Sequence, residues 1–161
     1  MNLPSGRLIE QGLKLEIKAV LIRLKAMMEE EFTGYLILTT EGRTGLEESV
    51  LLFRKGGIAG SIFSFETAGK EVIGEKALTL SLNSFRSKYG IIDISALSIQ
   101  QIDLIVAFNE ELKIVKQYSF KEIEKMIPPA FNQDYASDLS PDKKEPSRDD
   151  LFKEFGLAGL E

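Results

Sequence analysis

The chain has 161 residues, a formal net charge of −5, 43% hydrophobic residues, and no Cys, His or Trp. A chain of that length fits one domain that buries its own core. The missing residue types exclude thiol nucleophiles, disulfides, imidazole acid–base catalysis and Cys/His zinc sites.

Charge is spread unevenly. Eight of the 25 acidic and four of the 20 basic residues fall in 131–161, which leaves 17 acidic and 16 basic residues in 1–130. A nearly neutral folded part lacks the concentrated positive face of a general nucleic-acid binder, so no DNA is expected as a partner. Met1–Arg7 lacks the charged-then-apolar order of a signal peptide, and no apolar run reaches the ~18 residues of a spanning helix. With no Cys, the expectation is a cytoplasmic protein without a membrane partner, and the high Glu, Lys and Ile content leans towards a thermophilic source.

Leu13, Ile17, Val20, Leu21, Leu24 and Met28 recur at spacings of three and four, which predicts an amphipathic helix over 13–31. Lys14, Lys18 and Lys25 share its flank, with Arg7 and Arg23 nearby, and Glu29, Glu30 and Glu31 crowd its last turn against the helix dipole. Gly34–Thr40 and Val50–Arg54 are β-branched and aromatic runs that read as strands. Lys55-Gly56-Gly57 supplies a tight turn into a third strand, Ile58–Phe65, whose small residues suggest close packing across one face. These three runs predict an antiparallel meander.

From Lys70 to Tyr89, Ile73, Ala77, Leu80, Leu78, Leu82 and Phe85 predict a helix with a wide apolar face, an internal Gly74 kept for close packing, and a stop at Gly90. Ile91–Ile94 returns as a strand. Ser98 with Gln101 and Ser119 with Glu122 match capping boxes; the first opens a helix through about Phe108, and the second opens one that Pro128-Pro129 stops. Between them, Leu112–Val115 reads as a short extended piece.

Residues 131–147 hold few sizeable apolar side chains and read as an acidic linker. Ser147-Arg148-Asp149-Asp150 then resembles a helix cap, and Gly156 a left-handed stop. Leu151, Phe152, Phe155 and Leu157 give the segment an apolar face that needs a docking surface, because so short a helix is marginal alone in water. The expected fold is therefore α+β: an antiparallel β-meander packed against helices in 1–130, a linker over 131–147, and a short recognition helix over 148–161.

Gly34-Tyr35-Leu36-Ile37-Leu38, Leu51–Ile58, Gly74–Leu78 and Tyr89–Ile94 resemble the order of signals in PATAN-type domains. With Phe108–Leu112 and the tail at 147–156, the chain resembles an uncharacterised archaeal protein family still more. The resemblance implies a β-meander with packed helices, used in PATAN domains as a non-catalytic signalling or interaction module. It brings no catalytic residues with it.

No catalytic, cofactor or metal site is expected. Gly69-Lys70-Glu71 lacks both the upstream glycine and the following Ser or Thr of a phosphate-binding loop. Glu29–Glu31, Glu47-Glu48 and Glu110-Glu111 lie near expected turns or helix ends, where solvated charge is the ordinary explanation. Asp93 and Asp103 sit among apolar residues and are the acids expected to be buried, with structural hydrogen bonds as their role. The leading expectation is a non-enzymatic adaptor that binds a protein partner through Leu151, Phe152, Phe155 and Leu157, as a homodimer. One alternative is a ribosome-associated factor that contacts RNA through Arg7, Lys14, Lys18, Arg23 and Lys25. Another is a small-ligand sensor or carboxylate hydrolase built on Asp93 or Asp103.

Overall fold

A computed structural model describes residues 1–43 and 45–135. The fold is α+β. Its sheet has six strands, β1 (Arg7–Lys14), β2 (Gly34–Gly42), β3 (Gly45–Arg54), β4 (Gly57–Phe65), β5 (Lys70–Ile73) and β6 (Gly90–Ala96), in the order β1-β6-β2-β3-β4-β5. Every neighbouring pair is antiparallel. The helices are α1 (Ile17–Glu29), α2 (Glu75–Ser84), α3 (Ile99–Phe108) and α4 (Phe120–Met126), with a 3-10 turn at Glu110–Leu112.

The meander expected over residues 34–65 is present and extends to β5 at residue 73. Val50–Phe53 is buried on both sides because alternate residues face different layers. Leu51 and Phe53 meet Leu36, Leu38, Ile92 and Ile94 beneath α1, α2 and α4, whereas Val50 and Leu52 meet Tyr35 and Ile62 beneath α3. Val20, Leu24 and Met27 carry the buried stripe of α1, and Leu78, Leu82 and Phe85 lie in the same core on the α2 side.

Two boundaries differ from the sequence reading, for related reasons. Residues 7–14 form edge strand β1, so Leu13 and Lys14 are not in the first helix; Glu16 caps α1 by accepting from Lys18 N and Ala19 N. Residues 70–73 form edge strand β5, and α2 begins only at Glu75. In both places the spacing of apolar residues continues a helical line by coincidence, while pairing with a distant strand decides the conformation. Gly74 is not inside a helix but at its N-cap, with φ 75° and ψ −147°. Gly90 opens β6 rather than ending a helix.

Other local signals hold. The Ser98/Gln101 and Ser119/Glu122 capping boxes are both formed. Lys55 and Gly56 have φ of 47° and 80°, the positive pair that a tight hairpin requires. Gly60 admits the backbone of Leu112 across one face, and Ile114 N–H donates to Ala59 O, so residues 112–114 extend the exposed half of the β4 edge. Residues 131–135, expected to begin the linker, are fastened to the domain: Asn132 N–H donates to Asn83 Oδ1 at 2.9 Å, and Asn83 Nδ2 donates to Asn132 O at 3.2 Å.

Gly74 carries the first prediction. Its backbone lies in a region that L side chains rarely enter, and a Cβ there would stand 2.8 Å from Glu111 O. Gly74→Ala is expected to destabilise the fold by about 1–3 kcal/mol in chemical denaturation, with an unchanged denaturant slope. A stability equal to wild type would refute the strained-cap assignment.

Candidate functional site

The acids expected to be buried are not. Asp103 is exposed and takes a two-pronged contact from Arg54, Nε to Oδ1 at 2.7 Å and Nη2 to Oδ2 at 3.2 Å. That hydrogen bond holds the Asp103 carboxyl below its ordinary range. Asp93 is half-buried and accepts Gly12 N–H at 2.7 Å, where β1 bulges and Gly12 takes φ 66°. Both carboxylates thus have structural partners. Among the described residues, no cluster of three or more acidic side chains is arranged to hold a metal ion.

Glu47 is the buried acid, only 1% exposed, although its place in the sequence suggested a solvated turn. It lies on β3 opposite Thr40 of β2 and Phe65 of β4, on the helix-covered side of the sheet, and its carboxyl lies against Gly42. Tyr135 O–H donates to Oε1, while Oε2 has no hydrogen-bond partner among the described residues. Burial pushes the Glu47 carboxyl above its ordinary value and the Tyr135 contact opposes this only in part. Burial, reinforced by the carboxylate, also holds the Tyr135 hydroxyl above its ordinary value.

A groove of about 980 Å³ lies between α3, the tip of the β3–β4 hairpin and residues 110–117. Ile102, Val106 and Ile114 contribute apolar surface, and the Arg54–Asp103 pair, Lys55 and Lys113 stand at its polar margin. Val115, which lines the groove, is 76% exposed, and on the other flank of α3 Phe108 is 82% exposed and Leu104 56%. The sequence of α3, IQQIDLIVAF, is apolar on more than one side, yet Ile102 is its only fully buried residue. Sequence periodicity alone cannot say which apolar side meets the sheet.

The five basic residues of the RNA reading lie on two elements. Arg7 and Lys14 are exposed on β1, and Lys18 and Lys25 are exposed on α1. Arg23 Nη2 bonds Glu10 Oε1 at 2.9 Å, and Lys25 pairs with Glu29 at 3.9 Å, so acidic neighbours neutralise part of this surface. Leu151, Phe152, Phe155 and Leu157 lie outside the described residues.

The chain belongs to an archaeal protein family: the family described as "Uncharacterized protein conserved in archaea (DUF2226)" matches residues 1–109. The match runs from before β1 to the end of α3, taking in the whole sheet. No curated protein and no solved structure matches the chain. No helix among the described residues is long and apolar enough to cross a membrane.

Glu47 gives a signed pH dependence. Because its folded-state pKa is raised, its favourable contribution is full below the ordinary value of 4.5 and is lost as pH rises through the folded value. Glu47→Gln removes the buried charge and keeps an acceptor for Tyr135. Unfolding free energies measured across this range should fall with rising pH less steeply in the variant than in wild type, and the variant should be the more stable at about pH 7. A variant that keeps the wild-type slope would remove Glu47 as its source.

Proposed function

We propose that the chain is a non-catalytic interaction module, an adaptor or regulator, that captures a protein partner on the outer side of α3 and the groove beside it. The observation that carries this reading is the 82% exposure of Phe108 next to Leu104 at the end of a capped, regular helix. Leaving such side chains in water forgoes the roughly 1.5–3 kcal/mol that burying each would contribute. The groove on the other flank of α3 adds the charged groups Arg54, Lys55, Asp103 and Lys113, the kind of polar margin that frames apolar anchors at interfaces.

A partner that presents an apolar helix or loop matches this surface: its apolar side covers Leu104, Phe108 and Val115, and polar groups at its edge meet Lys55 and Lys113. The PATAN resemblance supports the same class of role, since it implies a meander with packed helices used for interaction rather than catalysis. The second apolar element in this reading is the C-terminal stretch with Leu151, Phe152, Phe155 and Leu157.

Tagged full-length protein should recover a discrete partner from native extract, and Leu104→Ser combined with Phe108→Ser should weaken that capture. A loss of about 2 kcal/mol or more, roughly 30-fold in affinity, is the scale of a central apolar anchor. Both positions are exposed, so the circular dichroism spectrum and unfolding midpoint should stay near wild type. An unchanged set of captured proteins would refute the α3 surface, and recovery of only a second copy of the chain would identify the partner as itself.

A further inference from the structure

The last described residues end at a defined place on the sheet. Tyr135 bonds to Glu47, and its ring meets Phe63 edge-on at a centroid distance of 6.4 Å and Phe131 at 5.2 Å. Glu47 pairs with Thr40, and Thr40 with Gly90. Two ladder steps, about 10 Å, therefore separate the Glu47 backbone from Gly90 at the same end of the sheet.

A cleft of about 350 Å³ lies at that end, lined in part by Leu46, Tyr89 and Ile91 with Lys14, Lys88 and Glu41. All three apolar side chains are exposed. Lys14 and Lys88 make no ion pair among the described residues, and Lys88 Nζ sits 5.2 Å from the centre of the Tyr89 ring. The cleft thus offers an apolar floor with two cations against one carboxylate. It lies far from α3, because Glu47 and Arg54 mark the two ends of β3 and are separated by roughly 23 Å of strand.

The chain beyond Tyr135 carries the complementary chemistry. Residues 148–157, RDDLFKEFGL, combine Leu151, Phe152 and Phe155 with Asp149, Asp150 and Glu154 against Arg148 and Lys153, so the adjacent Asp149-Asp150 pair carries its negative end. Between Tyr135 and Leu151 lie residues 136–150, fifteen in all, a length whose flexible-coil span is about 20 Å. Tyr135 lies on the α2 side and Leu46 and Ile91 point to the other face, so the tether passes round the end of the sheet, a path its span covers; the groove beside α3, roughly 23 Å along β3, lies within the extended length of the chain but is visited less often. A tether of this length holds its end at an effective concentration on the millimolar scale, so even weak contacts fill a nearby seat.

We propose that the cleft at Lys14, Leu46, Lys88, Tyr89 and Ile91 is the seat for residues 148–157 of the same molecule. Leu151, Phe152 and Phe155 cover the apolar floor, and Asp149 and Asp150 meet Lys14 and Lys88. A partner that takes up the C-terminal residues must first displace them from this seat, which makes their availability a regulated property. The inference is independent of the α3 surface, which stands or falls on its own test.

The chain has no cysteine, so Ala158→Cys provides a single site for a nitroxide label on the full-length protein. At high dilution, the amide signals of Leu46, Tyr89 and Ile91 should broaden, and reduction of the label should restore them. More than about half of the molecules should be seated if the isolated contact is tighter than about millimolar. Adding Phe152→Ser and Phe155→Ser, or separately Lys14→Glu and Lys88→Glu, should remove the broadening while other amide shifts stay in place. Broadening centred on α3, or none anywhere, would overturn the proposal. Broadening that appears only in mixtures of labelled and isotope-enriched chains would assign the seat to a second copy and overturn the same-molecule claim.

Discussion

Strand β6 occupies a slot that only the rest of the sheet can create. It pairs antiparallel with both β1 and β2, so those two strands run parallel to each other and cannot be joined by a tight turn. Helix α1 makes the crossing and covers the sheet as it does so. Val20, Leu24 and Met27 pack downwards from it while Ile92 and Ile94 of β6 come up beneath them. The pairings of Ile92 with Leu13 and Leu38 join residues far apart in sequence. Closing such contacts costs loop entropy before any burial offsets it, so β6 insertion is a natural late step in folding. The edge strand β1 is then left with two register shifts, which interrupt its outer hydrogen-bonding edge and discourage pairing with another sheet.

This crossing also makes the two faces unequal. Helices α1, α2 and α4 all lie on one side and bury it thoroughly, whereas α3 covers the other side largely through Ile102, helped by Leu97 and Leu112. On the thinner side Leu104 and Phe108 of α3 and Val115 after it remain exposed.

Much of the fold could be read in the sequence because its signals are local. Two capping boxes, the Lys55-Gly56-Gly57 turn and the β-branched runs each fix a conformation within a few residues. Strands β1 and β5 could not be read in that way. Leu13 and Ile17, or Ile73 and Ala77, continue a helical spacing, and only pairing with β6 or β4 overrides it. The interaction surface was less legible still. IQQIDLIVAF announces an apolar helix, but which apolar side meets Ile62 and Leu52 depends on the sheet beneath it. Glu47 shows the same limit. A pair of adjacent glutamates near a glycine turn reads as solvent-facing, yet strand alternation sends Glu47 inward and leaves Glu48 on the thinly covered face.

The contact between α2 and the sheet combines small polar side chains with an aromatic cluster. Ser49, Ser61, Ser81 and Ser84 are all buried, and Ser81 and Ser84 donate back to Ala77 O and Leu80 O of their own helix. Small hydroxyl side chains that satisfy themselves in this way let α2 lie close to β4 at Ser61 and Ser81, whose hydroxyls are 3.5 Å apart. Beside Glu47, Phe63, Phe65, Ala77 and Leu80 form a separate small cluster with Tyr135 packed against it. Tyr135 thus has two roles at one point: its ring completes the aromatic cluster and its hydroxyl donates a hydrogen bond to a buried acid. A buried carboxyl with one oxygen unpartnered is costly. Keeping Tyr135 in place limits this cost, so the docking of residues 131–135 on the domain is tied to the buried acid of β3.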